Sequence, residues 1–136
     1  MPREAPFSSR HEGAGIGQTT IQLAANPGHD VTGVVRTDSG KTNPDGSVIA
    51  THDVVIRNLS IDANRDEAGS VLVDGFFTGP RPFSALSADN NIALVNVEVY
   101  DASRYGFDPH EQTTNLSFTR CIAHNNAQDG FTIDYC

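Results

Sequence analysis

Three side chains that can carry protons fall within six residues of this chain, in the run Tyr105-Gly106-Phe107-Asp108-Pro109-His110. A phenol, a carboxylate and an imidazole are groups that proteins use to take a proton from one position and return it at another. A single aspartate or histidine on a strand is more often a solvated or hydrogen-bonded residue than a catalyst. Three ionisable groups at this density favour an acid–base site instead.

Strand alternation predicts which of these groups can cooperate. Successive side chains of a strand point to opposite faces, so Phe107 and Pro109 are predicted to share an apolar face toward a core. Asp108 and His110 are then predicted to share the other face, toward water or substrate. Tyr105 has the parity of Phe107, but the glycine between them can interrupt the strand and leaves the direction of the phenol open.

The elements that would hold these groups are short strands. Tryptophan is absent and 38% of residues are hydrophobic, with Gly, Asn, Asp, Thr and Val recurring in short runs that favour strands and turns. No twelve-residue segment has a convincing helical period, and the nearest, 20–25, is too short. The 136 residues are therefore predicted to form a single all-β domain with a modest core.

The formal charge of −8 argues against nucleic-acid binding, which needs a basic face to neutralise phosphates. A polyanionic substrate would need a locally basic groove, for which the available cations are Lys41, Arg81, Arg104 and Arg120. Residues 1–11 are polar without an apolar segment, so no signal peptide is visible. No run approaches the roughly 20 apolar residues of a membrane span.

The two cysteines, Cys121 and Cys136, do not have the spacing of metal ligands. Cys121 falls in an apolar position of the repeat described next, which favours a buried structural thiol over a reactive one.

An internal repeat is the strongest organisational signal. The segments 53–61, 91–99 and 115–123 follow one alternating pattern, which predicts inward columns Val54/Ile92/Leu116, Ile56/Leu94/Phe118, Leu59/Val97/Cys121 and Ile61/Val99/Ala123. A second motif recurs once in each unit. Its three copies are Asp74-Gly75-Phe76, Tyr105-Gly106-Phe107 and Asp129-Gly130-Phe131. Two different markers therefore describe the same unit.

The two markers agree on the length of the unit, since 115 − 91 and 130 − 106 both equal 24. Earlier offsets are longer, which we attribute to loop insertions at 64–69 and 78–90. Segments 19–23 and 31–35 have the same short-strand character and are predicted to form an earlier coil. Short strands repeated at this length predict a parallel β-helix or solenoid of about four to five coils.

Residues 24 positions apart should stack in neighbouring coils, about 4.8 Å from one another. Phe107 is then predicted to lie on Phe131, and His110 on Asp134. A carboxylate beside the histidine could orient the ring, raise its pKa or contact a substrate. Asp134 therefore joins Tyr105, Asp108 and His110 as a candidate site residue.

The string from Tyr105 through Glu111-Gln112-Thr113, together with Asn115-Leu116, Ala123-His124-Asn125-Asn126 and Asp134-Tyr135, strongly resembles the catalytic module of the secreted mannuronan C5-epimerases. The resemblance continues upstream through 73–79 and 58–62 and covers most of the chain from about residue 12. It implies a right-handed parallel β-helix that converts mannuronate units of alginate, an anionic polysaccharide, to guluronate. It also implies assistance by calcium, a secreted location, a monomeric full-length form and catalytic roles for Tyr105, Asp108, His110 and Asp134.

The chain departs from the family pattern at two places. The family has an active-site lysine where this chain has Leu72, and the family's downstream Arg-His pair would lie beyond Cys136. We therefore expect residues 1–136 to be a single partial β-helix domain, the N-terminal part of a longer catalytic module. Weak or absent activity of the isolated chain is the accompanying expectation, because solenoids need capping repeats.

The chemistry agrees with the residue types. The hydrogen at carbon 5 lies α to a carboxylate, whose charge must be neutralised before a base can remove the proton. His110 and Tyr105 are assigned to base and acid in an order that the sequence leaves open. Asp108 and Asp134 would position them, or bind the substrate carboxylate as protonated acids, since crowded carboxylates raise one another's pKa.

Two other functions remain open at this point. A polyuronate lyase would begin with the same proton abstraction and then expel the 4-linked sugar. A non-catalytic, truncated β-helix is the alternative of a different class. The acidic loop 62–67 lacks the ligand spacing of an EF-hand and is better explained as solvated, so the position of a metal is not predicted.

Overall fold

The fold is described by a computed structural model, for residues 9–37, 42–47, 49–79, 89–110 and 113–133. The strands are β1 (Ser9–Glu12), β2 (Thr20–Gln22), β3 (Val35–Arg36), β4 (His52–Asp62), β5 (Phe76–Thr78), β6 (Asp89–Tyr100), β7 (Phe107–Pro109), β8 (Thr113–Thr119) and β9 (Ile122–His124). One four-residue helix, α1 (Arg65–Ala68), lies between β4 and β5.

The strands form two parallel sheets in which each coil lies on the previous one. The larger sheet has the order β1-β4-β6-β8, with β2 beside β4 and β9 beside β6, and the smaller sheet has the order β3-β5-β7. All of the strand pairs described are parallel. The chain therefore winds through four coils of a parallel β-helix, which confirms the predicted fold class.

The register confirms the repeat residue by residue. Val54 pairs with Ile92 and Ile56 with Leu94, and the third coil adds Leu116 and Phe118 to these columns. The second motif is also in register. Its aromatic residues pair as Phe76 with Phe107 and Phe107 with Phe131.

The inward columns form one hydrophobic core between the sheets. Ile61, Leu94, Val97 and Val99 are completely buried in it. The aromatic column packs closely, because the Phe107 ring lies 4.6 Å from that of Phe131 in a stacked arrangement. Burial of such side chains provides the main favourable term of folding, so the core aligns the coils.

Residues with left-handed backbone conformation bend the long strands at fixed positions. Asp53, Asn91 and Asn115 have φ values of 56°, 55° and 52°, and Asn58, Asn96 and Arg120 have values of 59°, 54° and 50°. Asparagine and aspartate adopt this region more readily than other non-glycine residues. Their side chains also join neighbouring coils, since Asn96 Nδ2 donates to Asn58 Oδ1 at 3.0 Å and Asn91 Nδ2 donates to Asp53 Oδ1 at 2.7 Å.

Substitutions at Asn96 should separate these two contributions. Asn96→Gly keeps the left-handed backbone accessible and loses only the hydrogen bond, at a cost of about 1 kcal/mol. Asn96→Ala loses the bond and also adds about 1–2 kcal/mol of backbone strain. Urea unfolding should therefore show the alanine variant to be less stable than the glycine variant. The reverse order would contradict the role assigned to the left-handed bend.

The predicted early coil is confirmed. Strand β2 pairs with the end of β4, β3 pairs with β5, and Val31 bridges to Val73. The glycine-rich turn before β2 lies against β4, where a Cβ on Gly13 would come within 2.4 Å of the Asn58 carbonyl oxygen. Strand β1 was not predicted, and α1 lies in the first insertion, which was interpreted as a loop. Most of the second insertion, residues 80–88, lies outside the described part.

Cys121 is half-buried rather than buried and packs against the core. Its thiol donates to the Leu94 carbonyl oxygen at 3.4 Å, and burial raises its pKa, which agrees with a structural thiol. Cys136 lies outside the described residues. Within the described ranges, no helix has the length and apolar character needed to cross a membrane.

Candidate active site

Strand β7 carries the central residues of the predicted site. Its side chains alternate between the core and the outer side of the sheet, as predicted. Phe107 is fully buried in the core. Asp108 points the other way and pairs in register with Phe77 of the preceding coil. The aspartate and the following histidine therefore lie on the outer side of the small sheet.

Asp108 and His110 were predicted to face water or substrate, and the structure shows that both are buried from water. Asp108 is 1% exposed and His110 is 5% exposed. The cover comes partly from the preceding coil, because the Phe77 ring stacks on the His110 ring with centroids 5.1 Å apart. Alternation identifies the side of a strand that a residue occupies, but neighbouring coils determine whether that side is covered.

Arg104 connects the acidic residues of the site. Its Nε donates to Asp74 Oδ1 at 2.9 Å, and its Nη2 donates to Asp74 Oδ2. The same Nη2 lies 4.0 Å from Asp108 Oδ2. The pKa of Arg104 is raised, chiefly by its hydrogen bonds to Asp74. The guanidinium is therefore a fixed positive charge between two carboxylates.

Tyr105 belongs to the same group of residues. Its backbone N–H donates to Asp74 Oδ1 at 3.3 Å, and the Arg104 guanidinium carbon lies 5.4 Å from the centre of its ring. This contact resolves the direction that the sequence left open, since the phenol ring lies beside the guanidinium and is half-buried.

His110 is held by contacts on its backbone and on its ring. The backbone N–H donates to Thr78 Oγ1 at 3.2 Å, and that hydroxyl lies 2.7 Å from Thr113 Oγ1 of the next coil. The stacked Phe77 ring restricts the imidazole from one side. Both contacts come from other coils, so the stacking of coils positions this side chain.

The predicted partner of His110, Asp134, lies outside the described residues. The last pairing before it is in the predicted register, since Phe107 bridges to Phe131. The adjacency of Asp134 and His110 stays a prediction.

Sequence reasoning missed the roles of Asp74, Arg104 and Phe77. Asp74 was treated only as part of the second repeated motif, and Arg104 only as one of the available cations. The sequence did contain a signal for this ion pair. When motif 74–76 is aligned with motif 105–107, Tyr105 lies opposite Asp74, and Arg104 directly precedes Tyr105. The ion pair follows from the coil register.

The described residues contain no cluster of acidic side chains suited to a metal ion. Within these ranges, no three His, Cys, Asp or Glu side chains converge in a way that could hold a metal. Both oxygens of Asp74 accept from Arg104. In the acidic loop, Asp62 accepts from Gln22 Nε2 and from the Asn64 backbone. Calcium binds six to eight oxygen ligands, and these carboxylates already have other partners.

A second polar cluster lies on the outer face of the large sheet. Glu98 accepts from the Ser60 hydroxyl at 2.6 Å, and its other oxygen lies 2.8 Å from His124 Nε2. The His124 ring stacks on Tyr100 at 5.3 Å. Burial raises the pKa of Glu98, but the hydrogen bonds from Ser60 and His124 outweigh it, so the net pKa lies below its ordinary value.

This cluster predicts a loss of stability in acid. Because the folded pKa of Glu98 is lowered, the ionised carboxylate stabilises the fold above the ordinary glutamate value of about 4.3. That contribution is lost as the pH falls through the lowered pKa. Glu98→Gln should therefore lower the urea midpoint at pH 7, and the difference should shrink at pH 3. Glu67→Gln, at an exposed position, is the control, and an equal effect of both variants would contradict the prediction.

Comparison with known proteins identifies relatives over 90% of the chain. No protein-family model matches it. The chain is 43% identical over 124 residues to the mannuronan C5-epimerase AlgE6 of Azotobacter vinelandii, and 42% identical over 123 residues to AlgE4 and to alginate lyase 7 of the same organism. It spans 13% of the length of AlgE6 and of alginate lyase 7, and 20% of AlgE4.

Two solved structures match the fold. The A-modules of the A. vinelandii mannuronan C-5 epimerases AlgE4 and AlgE6 superimpose with a TM-score of 0.75 in each case, at 41% and 40% sequence identity. Each match covers 90% of this chain and 30% of the solved chain. The four coils therefore correspond to about a third of such a module.

Proposed function

Because this chain is related in sequence and in fold to the A-modules of the mannuronan C5-epimerases, we propose that it carries the proton-transfer site of an enzyme that epimerises mannuronate at carbon 5. The substrate would be polymeric alginate, an anionic polysaccharide. The names of the relatives support the substrate class, and the local chemistry of β7 supports the reaction.

The observation that carries this proposal is the convergence of Tyr105, Asp108 and His110 around Arg104 and Phe77. Phe77 pairs in register with Asp108 and stacks on His110, while Arg104 contacts the Tyr105 ring and approaches Asp108. A phenol, a carboxylate, an imidazole and a cation thus lie on β7 and on the residues that flank it, next to Phe77 of β5. Abstraction of a proton α to a carboxylate requires these group types.

The proposed reaction replaces the hydrogen at carbon 5 and leaves every linkage between the sugar units intact. One group removes the proton from carbon 5, and the electron pair is delocalised into the adjacent carboxyl group. A second group then donates a proton to the opposite face, which inverts the carbon. We assign His110 and Tyr105 to these roles in either order, with Asp108 and Asp134 positioning them or contacting the substrate carboxylate. Burial of His110 excludes water that could compete for the proton.

The remaining parts of the proposal rest on the relatives. The chain spans 30% of the solved A-modules, so we propose that its coils act within a longer module. A secreted location and a monomeric full protein are expectations from the family resemblance alone. Calcium remains an expectation from the resemblance alone, and no step of the reaction is assigned to it.

A lyase is the second candidate, because alginate lyase 7 is as similar to this chain as AlgE4 is. The same proton abstraction would be followed by cleavage of the bond between carbon 4 and the linking oxygen. The electron pair left at carbon 5 would form a double bond between carbons 4 and 5, and the departing oxygen would take up a proton.

A hybrid A-module distinguishes the two reactions. In this hybrid, the chain replaces the matching segment of the AlgE4 A-module. With polymannuronate, the epimerase predicts guluronate signals by NMR without shortening of the polymer. A lyase predicts new ultraviolet absorbance from unsaturated ends. A folded hybrid that produces neither signal would refute the proposed function, and the unaltered AlgE4 A-module provides the control.

A further inference from the structure

The proposed reaction requires that the negative charge of the substrate carboxylate be neutralised. A second negative charge cannot develop beside an ionised carboxylate unless a positive group or a proton neutralises it. Position 72, where the resemblance leads one to expect a lysine, carries leucine, and its side chain is 44% exposed. We propose that Arg104 binds the carboxylate of the reacting mannuronate unit and that Asp74 is the positioning residue that holds Arg104 for this task. The inference rests on the proposed function.

The arrangement of the guanidinium supports this role. Arginine has five N–H donors in a fixed planar fork. Among the described residues, Arg104 uses Nε and Nη2 for Asp74. The distance of 4.0 Å from Nη2 to Asp108 Oδ2 exceeds the roughly 2.7–2.9 Å of a charge-assisted hydrogen bond. The guanidinium is therefore anchored along one edge, and its remaining donors are directed elsewhere.

Exposure distinguishes Arg104 from its neighbours. The side chains of Asp74 and Asp108 are each 1% exposed, whereas that of Arg104 is 25% exposed. A ligand approaching the outer side of the small sheet can therefore reach the guanidinium without displacing the ion pair with Asp74. Bidentate binding of carboxylates is the interaction for which arginine geometry is suited.

The position of Arg104 also suits the chemistry. Carbon 5 is bonded directly to the carboxyl carbon, so a carboxylate on the guanidinium brings carbon 5 to the same part of the site. The Tyr105 ring lies 5.4 Å from the guanidinium carbon. One of the two proposed proton-transfer groups is thus next to the cation that would fix the substrate.

A purely structural ion pair is the competing explanation. Asp74 is buried, and an arginine that only compensates its charge would also lie beside it. The two explanations differ in what Arg104 recognises, because a structural arginine does not discriminate between a charged and an esterified substrate.

The test compares short mannuronate oligomers with their neutral methyl esters, titrated by calorimetry or NMR against the folded hybrid A-module that contains this chain. Arg104→Gln should weaken binding of the acid form about tenfold or more, equivalent to the loss of a charge-assisted contact, and change binding of the ester less than about twofold. Arg104→Lys keeps the charge but loses the planar fork, so its acid binding should weaken by about threefold. Asp74→Asn should also reduce the preference for the acid form. Arg10→Gln removes the same charge from an exposed position in β1 of the large sheet and should change binding of the acid form less than about twofold.

Each outcome is informative. A folded hybrid A-module without substitutions that binds neither oligomer refutes the proposed substrate class itself. A hybrid without substitutions that binds the acid form while its Arg104→Gln variant binds it equally well overturns the role of Arg104. If Arg104→Gln loses equal affinity for the acid form and for the ester, the arginine is structural, and this outcome also overturns the proposed role of Arg104. If the glutamine variant fails to fold by circular dichroism, unchanged acid binding by Arg104→Lys overturns the role of Arg104, and a selective loss supports it.

Discussion

His110→Ala is expected to reduce the formation of guluronate that carries deuterium at carbon 5 by about 10²–10⁴-fold, the usual contribution of a positioned acid or base. The imidazole is held by the Phe77 ring and by the Thr78 hydroxyl at its backbone. Alanine removes the proton-transfer group while it keeps the backbone hydrogen bond. The hybrid A-module carrying each variant would be incubated with polymannuronate in heavy water and the exchange followed by NMR.

Two further variants complete this prediction. Tyr105→Phe removes only the hydroxyl and should cause a loss in the same range, since inversion needs one group to remove a proton from one face of the sugar ring and another to donate a proton to the opposite face. His124→Ala is the matched control, because His124 contacts Glu98 on the other sheet. If His110→Ala still forms guluronate at more than about a tenth of the unaltered rate, His110 is not the acid or the base.

Phe107→Ala is expected to destabilise the chain by about 3–5 kcal/mol, the usual cost of deleting a buried phenylalanine side chain. Phe107 is completely buried, and its ring contacts those of Phe76, Phe118 and Phe131. The same strand presents Asp108 on its other face, so the substitution should also disorder the site. Urea unfolding of the isolated chain provides the measurement.

Phe131→Ala serves as the matched control for this prediction. Phe131 belongs to the same aromatic column but is 48% exposed, so its truncation should cost less than half as much. A loss below about 1 kcal/mol for Phe107→Ala would contradict the assignment of this column as the core that aligns the coils.

Much of the fold could be predicted because the repeat records both strand direction and register. The alternation of Ile92, Leu94, Val97 and Val99 defines an inward face, and the spacing of 24 residues places the following coil on it. Helix α1 was missed because four residues contain hardly more than one helical turn and produce no measurable period.

The site was predicted less completely, because burial on the outer face depends on residues from other coils. The string around Asp108 indicates which side of the strand it occupies, yet its cover comes from Phe77 and Arg104. The ion pair of Arg104 with Asp74 spans 30 positions of the chain, inside a region where insertions change the repeat length. Only the register revealed by the structure brings these two residues together.

The most direct test of the central claim is the fate of the hydrogen at carbon 5. The folded hybrid A-module would be incubated with polymannuronate in heavy water, beside the unaltered AlgE4 A-module. The account predicts guluronate units that carry deuterium at carbon 5 in a polymer of unchanged length, because the outer face of β5 and β7 removes one proton and returns another. A folded hybrid that incorporates no deuterium, while the AlgE4 A-module does, would contradict the assignment of this face as a proton-transfer site.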